Sequence, residues 1–222
     1  MAGAGFGSKH VGERRTNKDT DEHRRDSRRD GNTLDHYYGG NMQRLQPELN
    51  QIADKQIKAF TEYVLGKAPE CFWMVPSSSS GKYHPDQSNG EGGLVRHTRA
   101  TVYFVVKLCD VYSVTGSMKD CVISACILHD IVKYGEPKQS YTTKNHDYEG
   151  ALFVKKHGEE FGLDTDVLTT ITSCIAWHMG KWTDMAGRKK SKVFPEGYSA
   201  EQLVTHLADV ISAQKNVSLC HI

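Results

Sequence analysis

Residues 118–134 carry Val122, Ile123, Ile127, Leu128, Ile131 and Val132, apolar positions that surround a helical axis instead of lining one side of it. A helix with that pattern has no polar face for water, so it belongs at the centre of a bundle with other helices packed around it. The same segment holds His129 and Asp130 in its last third. A carboxylate in so apolar a setting is costly unless a cation or several donors neutralise it.

The rest of the chain can supply that bundle. At 222 residues, 38% hydrophobic and 25% charged, it can bury one good-sized core, and nothing suggests a second. Residues 1–41 are different: they interleave eight Lys/Arg and seven Asp/Glu with glycines, and their few apolar residues show no period. Such a segment cannot offset its ordering entropy, so a disordered charged tail is expected over 1–41, followed by one folded domain over 42–222. A formal net charge of +1 gives no global attraction to nucleic acid or to an anionic membrane. No apolar run approaches the roughly 20 residues of a membrane span, and the N-terminus has no apolar signal core. Six cysteines without a Cys-x-x-Cys pair read as reduced, buried thiols, and the expected compartment is the cytoplasm.

Helical periodicity runs through most of 42–222. A first helix is expected from Pro47, with Leu49, Ile52, Ile57, Phe60, Val64 and Leu65 on one face, to Gly66. A Pro-, Ser- and Gly-rich loop fills 68–93. Further helices are expected at about 94–115, 118–134, 148–161, 164–179 and 199–217, the last opened by a Ser199/Gln202 capping box, with a short hairpin in 135–145. The fold class is therefore all-α.

Placed on these helices, six residues fall in the order His97, His129-Asp130, His146, His178, Asp209. His178 continues the apolar stripe Val167, Ile171, Cys174, Ile175, and Asp209 and His206 lie on the shoulder of the stripe Leu203, Leu207, Val210, Ile211. Each taken alone has a plain alternative. Among 11 histidines about one His-Asp dipeptide arises by chance, and the chain has two. His146-Asp147 lies in a polar stretch, so His129-Asp130 is the better signature pair. A lone His178 would be a hydrogen-bonded core residue, and a lone Asp209 a surface carboxylate. Together, so many acids and imidazoles aligned with helix interiors would leave buried polar groups without partners unless a metal joins them. Ligands projecting inward from several helices are how bundles build metal sites, and Asp130 is placed to bridge two ions.

From about Trp73 to its end the chain resembles the HD-domain metal-dependent phosphohydrolase superfamily. The matching stretches are Gly92-Gly93-Leu94-Val95-Arg96-His97-Thr98, His129-Asp130-Ile131-Val132-Lys133, His146 with Gly150-Ala151, His178, and His206-Leu207-Ala208-Asp209. The resemblance implies an HD-type helical bundle in which His97, His129, Asp130 and Asp209 hold one divalent ion. His146 and His178 correspond to the extra ligands of two-metal members, with Asp130 bridging. Imidazole and carboxylate donors suit manganese, iron, nickel or zinc. The run Pro76 to Pro85 resembles the lead-in of bacterial HD-type 3′-to-5′ exoribonucleases, whose separate OB-fold domain has no counterpart here. The expected substrate is therefore a nucleotide or short oligonucleotide.

Other residues are candidates around that centre. Lys133, one turn beyond the His-Asp pair, could hold a phosphate oxygen or neutralise a leaving group, with a snorkelling helix-end lysine as the rival reading. Lys82, His84 and Arg96 are near enough in sequence to His97 to line an entrance to substrate, though each suits a loop or helix surface too. Arg188, Lys189, Lys190 and Lys192 form the densest basic cluster, in a loop between His178 and Asp209, where they could guide a phosphodiester. Ser77 to Lys82 is not a phosphate loop: the leading glycine is missing and Tyr83 stands where Ser or Thr would bind magnesium. Two rival functions remain. One is a 3′-to-5′ exonuclease on single strands, and the other is a catalytically silent metal-binding interaction module.

Overall fold

In the computed structural model every residue from 120 to 135 is buried, as the apolar girdle of that segment requires. The structure describes residues 40–82, 84–180, 197–217 and 219. Among them are eight α-helices: α1 (Gln46–Leu49), α2 (Lys55–Leu65), α3 (Glu70–Met74), α4 (Gly93–Val111), α5 (Gly116–Leu128), α6 (His146–Phe161), α7 (Thr165–Trp177) and α8 (Ala200–Ser212). Helix α5 is the centre, contacting α2, α4, α7 and α8, while α6 packs on α7 and α4 on α8. No strand occurs among the described residues, so the all-α bundle is the fold and the hairpin expected in 135–145 does not form. The tail expected over 1–41, apart from Gly40 and Asn41, the basic cluster Arg188 to Lys192, and Cys220 lie outside the described residues.

The first expected helix is two. The chain leaves α1 after Leu49, and the Asp54 side chain caps α2 by accepting the N–H groups of Gln56 and Ile57. Asp120 of α5 accepts the N–H groups of Ala53 and Asp54 at 3.1 and 2.8 Å, which satisfies the break from across the bundle. The 68–93 loop holds α3 and a 3₁₀ turn, Asp86–Ser88. Gly93 opens α4 against that turn, where a β-carbon would overlap the carbonyl of Ser88. The five described cysteines are free thiols, four of them buried. Among the described residues no helix is long and apolar enough to cross a membrane.

Two corrections bear on the site. The helix expected over 118–134 ends at Leu128, so His129 and Asp130 stand in the turn beyond it. His129 Nδ1 donates to the carbonyl of Cys126 at 2.7 Å, taking the acceptor that the N–H of Asp130 would use if the helix went on. On α8 the buried residues are Val204, Thr205, His206, Ala208 and Ser212, while Leu203, Leu207 and Ile211 are half-buried and Val210 is exposed. The small residues turned inward bring α8 close to α4 and carry Asp209 toward the centre of the bundle. The Ser199/Gln202 capping box is present as expected.

Candidate metal centre

Five helix ends deliver the candidate ligands. His97 lies in the first turns of α4, His129-Asp130 just past α5, His146 at the first position of α6 and His178 just past α7. Asp209 comes from the last turn of α8. The imidazoles of His129, His146 and His178 use one device: Nδ1 donates to the carbonyl three residues earlier, of Cys126, Thr143 and Ile175, at 2.7, 2.8 and 2.7 Å. A proton held on Nδ1 leaves the Nε2 lone pair free and fixes the ring's direction. His97 Nδ1 instead meets a side chain, the hydroxyl of Ser212, at 3.3 Å.

The Nε2 atoms converge on two carboxylates. Asp130 Oδ2 is 3.2 Å from His129 Nε2 and 3.6 Å from His97 Nε2, and Asp209 Oδ1 is 3.0 Å from His97 Nε2. Asp130 Oδ1 faces the other pair, 3.4 Å from His146 Nε2 and 3.7 Å from His178 Nε2. Oδ1 is buried and has no hydrogen-bond partner among the described residues. Ligand atoms around one ion at bonds of about 2.0–2.2 Å sit roughly 3–3.5 Å apart, so these separations fit shared cations. The groups His97, His129, Asp209 and His129, Asp130, His178 are each close enough to hold one. An orphaned buried carboxylate oxygen facing two imidazole lone pairs makes sense chemically when a cation lies between them.

Electrostatics give the same picture. Burial lowers the pKa of His97 and His178 and pushes His146 down to about 4. Burial also opposes charge on His129, but the adjacent Asp130 carboxylate outweighs it and raises that ring. Burial would raise both carboxyls, yet His129 and Lys133 hold Asp130 far below the usual carboxylate range, and His97 does the same for Asp209. The site thus keeps two anions and mostly neutral rings, the protonation state metal ligands need.

The remaining candidates divide. Lys133 is buried, with Nζ 2.6 Å from Asp130 Oδ2, so it does not snorkel to solvent. His84 stacks edge-to-face on His97 with ring centroids 4.8 Å apart. Burial, then the neighbouring His97 ring, pushes His84 down to about 3, so it is neutral. Lys82 is exposed with no contact to the centre among the described residues. Arg96 donates from its guanidinium to the carbonyls of Gln87, Asn89 and Glu91, which clamps the loop before α4. Asp147, set aside in sequence as the decoy pair, is fully buried beside the centre and accepts the N–H of Tyr148 at 2.8 Å. The polar stretch around it hid this, because the burial comes from α6 packing on α7. Ser212 was missed too, although its spacing of three residues from Asp209 places both on one helix face.

A helical bundle whose helix ends aim four imidazoles and two carboxylates at one point is a metal-binding bundle by construction. The model of the HD domain family matches residues 94–214, more than half of the chain, and the chain belongs to that family of metal-dependent phosphohydrolases. No curated protein and no solved structure gives a significant match.

Proposed function

We propose that the protein is a two-metal phosphohydrolase that cleaves a phosphate ester of a nucleotide or short oligonucleotide. The observation that carries this reading is the division of Asp130, one oxygen toward His97 and His129 and the other toward His146 and His178. On this reading His97, His129, Asp130 and Asp209 hold one divalent ion, and Asp130, His146 and His178 hold a second, from manganese, iron, nickel or zinc. When bound, such a pair lowers the pKa of a water and draws charge from the phosphoryl oxygens during in-line displacement.

The chain's own groups complete the site. The Nδ1 protons of His129, His146 and His178 are tied to backbone carbonyls and so stay out of proton transfer. Lys133, already paired with Asp130, keeps an ammonium at the centre, where a phosphate oxygen can share it. His84 is neutral and offers a hydrogen bond at the edge of His97 without adding charge. No serine or cysteine nucleophile is needed.

The test is elemental analysis of protein expressed with ample metal, joined to a panel of nucleoside monophosphates, triphosphates, cyclic nucleotides and short oligonucleotides. Close to two ions per chain and hydrolysis lost in Asp130→Ala are expected. Full activity in Asp130→Ala would end the reading. The exonuclease alternative draws on the basic cluster Arg188, Lys189, Lys190 and Lys192 between two ligand-bearing segments, and preference for long single strands in the same panel would favour it.

A further inference from the structure

We infer that Ser212 is a positioning residue that makes the His97/Asp209 side of the centre the tighter of the two metal sites. This rests on the two-metal reading above. Three of the four imidazoles are aimed by backbone carbonyls, which no side-chain substitution removes. His97 is the exception, since its Nδ1 meets the Ser212 hydroxyl at 3.3 Å.

The proton count fixes the direction of that bond. The single hydroxyl proton of Ser212 goes to the carbonyl of Asp209 at 2.8 Å. The Ser212 oxygen is therefore an acceptor toward His97, which holds its proton on Nδ1 and turns the Nε2 lone pair toward Asp130 and Asp209. Thr101 lies 3.0 Å from the same oxygen, and its hydroxyl is 3.0 Å from the carbonyl of His97. Ser212 is 1% exposed and Thr101 is fully buried, so water cannot replace these bonds. One hydroxyl thus touches the ring of one proposed ligand and the backbone of another, across the α4–α8 contact. Rigid placement of both ligands before binding is what gives a metal site affinity. The Oδ1 side, with His146 and His178, has no such side-chain tie among the described residues.

The test is calorimetric titration of the metal-free full chain with Mn²⁺ alone. Wild type should show two phases. Ser212→Ala should weaken one phase roughly 10- to 100-fold and leave the other in place. Ser212→Thr, which keeps the hydroxyl, should restore it. His97→Ala marks the affected phase by losing it. If His97→Ala loses a phase and Ser212→Ala changes neither, the inference fails while the metal reading stands. Equal weakening of both phases in Ser212→Ala would show general loosening and also overturns it. A His97→Ala isotherm identical to wild type would instead overturn the two-metal reading beneath it. Should Ser212→Ala fail to fold, Ser212→Cys, with its weak acceptor, carries the same expectation.

Discussion

Around Oδ2 of Asp130 the structure gathers His97, His129 and the Lys133 ammonium, with Asp209 close to His97, whereas around Oδ1 it places, among the described residues, only His146 and His178 and no hydrogen bond. Both oxygens belong to one buried carboxylate, yet one is neutralised by the protein itself and the other is left to whatever lies between two imidazoles. The Oδ2 side is built to persist without an ion. The Oδ1 side is buried at a cost that a cation would repay.

Substitution of the shared group should have the largest effect, because it breaks both sides at once. Asp130→Ala is expected to lower turnover roughly 1,000-fold or more and to strip metal, since several kcal/mol of charge stabilisation are lost. Steady-state kinetics with elemental analysis check it. Next, stepwise chelation should remove the ion on the Oδ1 side first. His146→Ala should bind one slowly exchanging ion, and a fast-exchanging one would reverse the ranking of the two sides.

Acid should act through the same imbalance. His146, with a folded pKa of about 4, takes up its proton more readily when unfolded, near the ordinary value of 6.5. The unfolded chain therefore binds more protons between those values, and the metal-free protein should lose stability as pH drops from 6.5 toward 4. His84, His97 and His178, also lowered, act in the same direction. His129 is raised, so it works in the other sense: its contribution is present below 6.5 and is lost only as pH rises above that value, outside this window. Thermal melting of chelated protein from pH 7.5 to 4.5 measures this, and bound metal should flatten the upper part of the curve.

Smaller effects test the surroundings. Asp147→Ala, which removes a buried carboxylate and its bond to Tyr148, should cost roughly 1–3 kcal/mol in denaturant unfolding. Unchanged stability would restore its reading as a bystander. The smallest effect is expected from changing Arg188, Lys189, Lys190 and Lys192 together to Ala. Mononucleotide turnover should barely move, and a steep salt dependence of oligonucleotide binding in wild type, lost in this variant, would bring the nuclease reading forward.

Much of the centre was legible in the chain because ligand chemistry is carried by residue type and order. The girdle of Val122, Ile123, Ile127 and Leu128 marked the central helix, and the stripe through Ile171, Cys174 and Ile175 pointed His178 inward, as the structure has it. Periodicity misled where a side chain overrode it. The apolar pattern to Val132 concealed the end of α5, since the His129 ring competes for a backbone carbonyl, and on α8 Leu203, Leu207 and Ile211 are only half-buried while Ala208 and Ser212 are buried.

The amino-acid sequence by itself determined an all-α bundle and its family and singled out six candidate metal ligands, because burial pattern and donor chemistry are properties of residue identity and spacing. Tertiary structure alone decided that Asp130 divides its oxygens between two histidine pairs, that Arg96 clamps a loop, that Asp147 is buried and that Ser212 reaches His97. Each of these is a contact between segments distant in the chain or a competition for one hydrogen-bond acceptor, and such outcomes are settled only when helices have packed and each buried donor has found its partner.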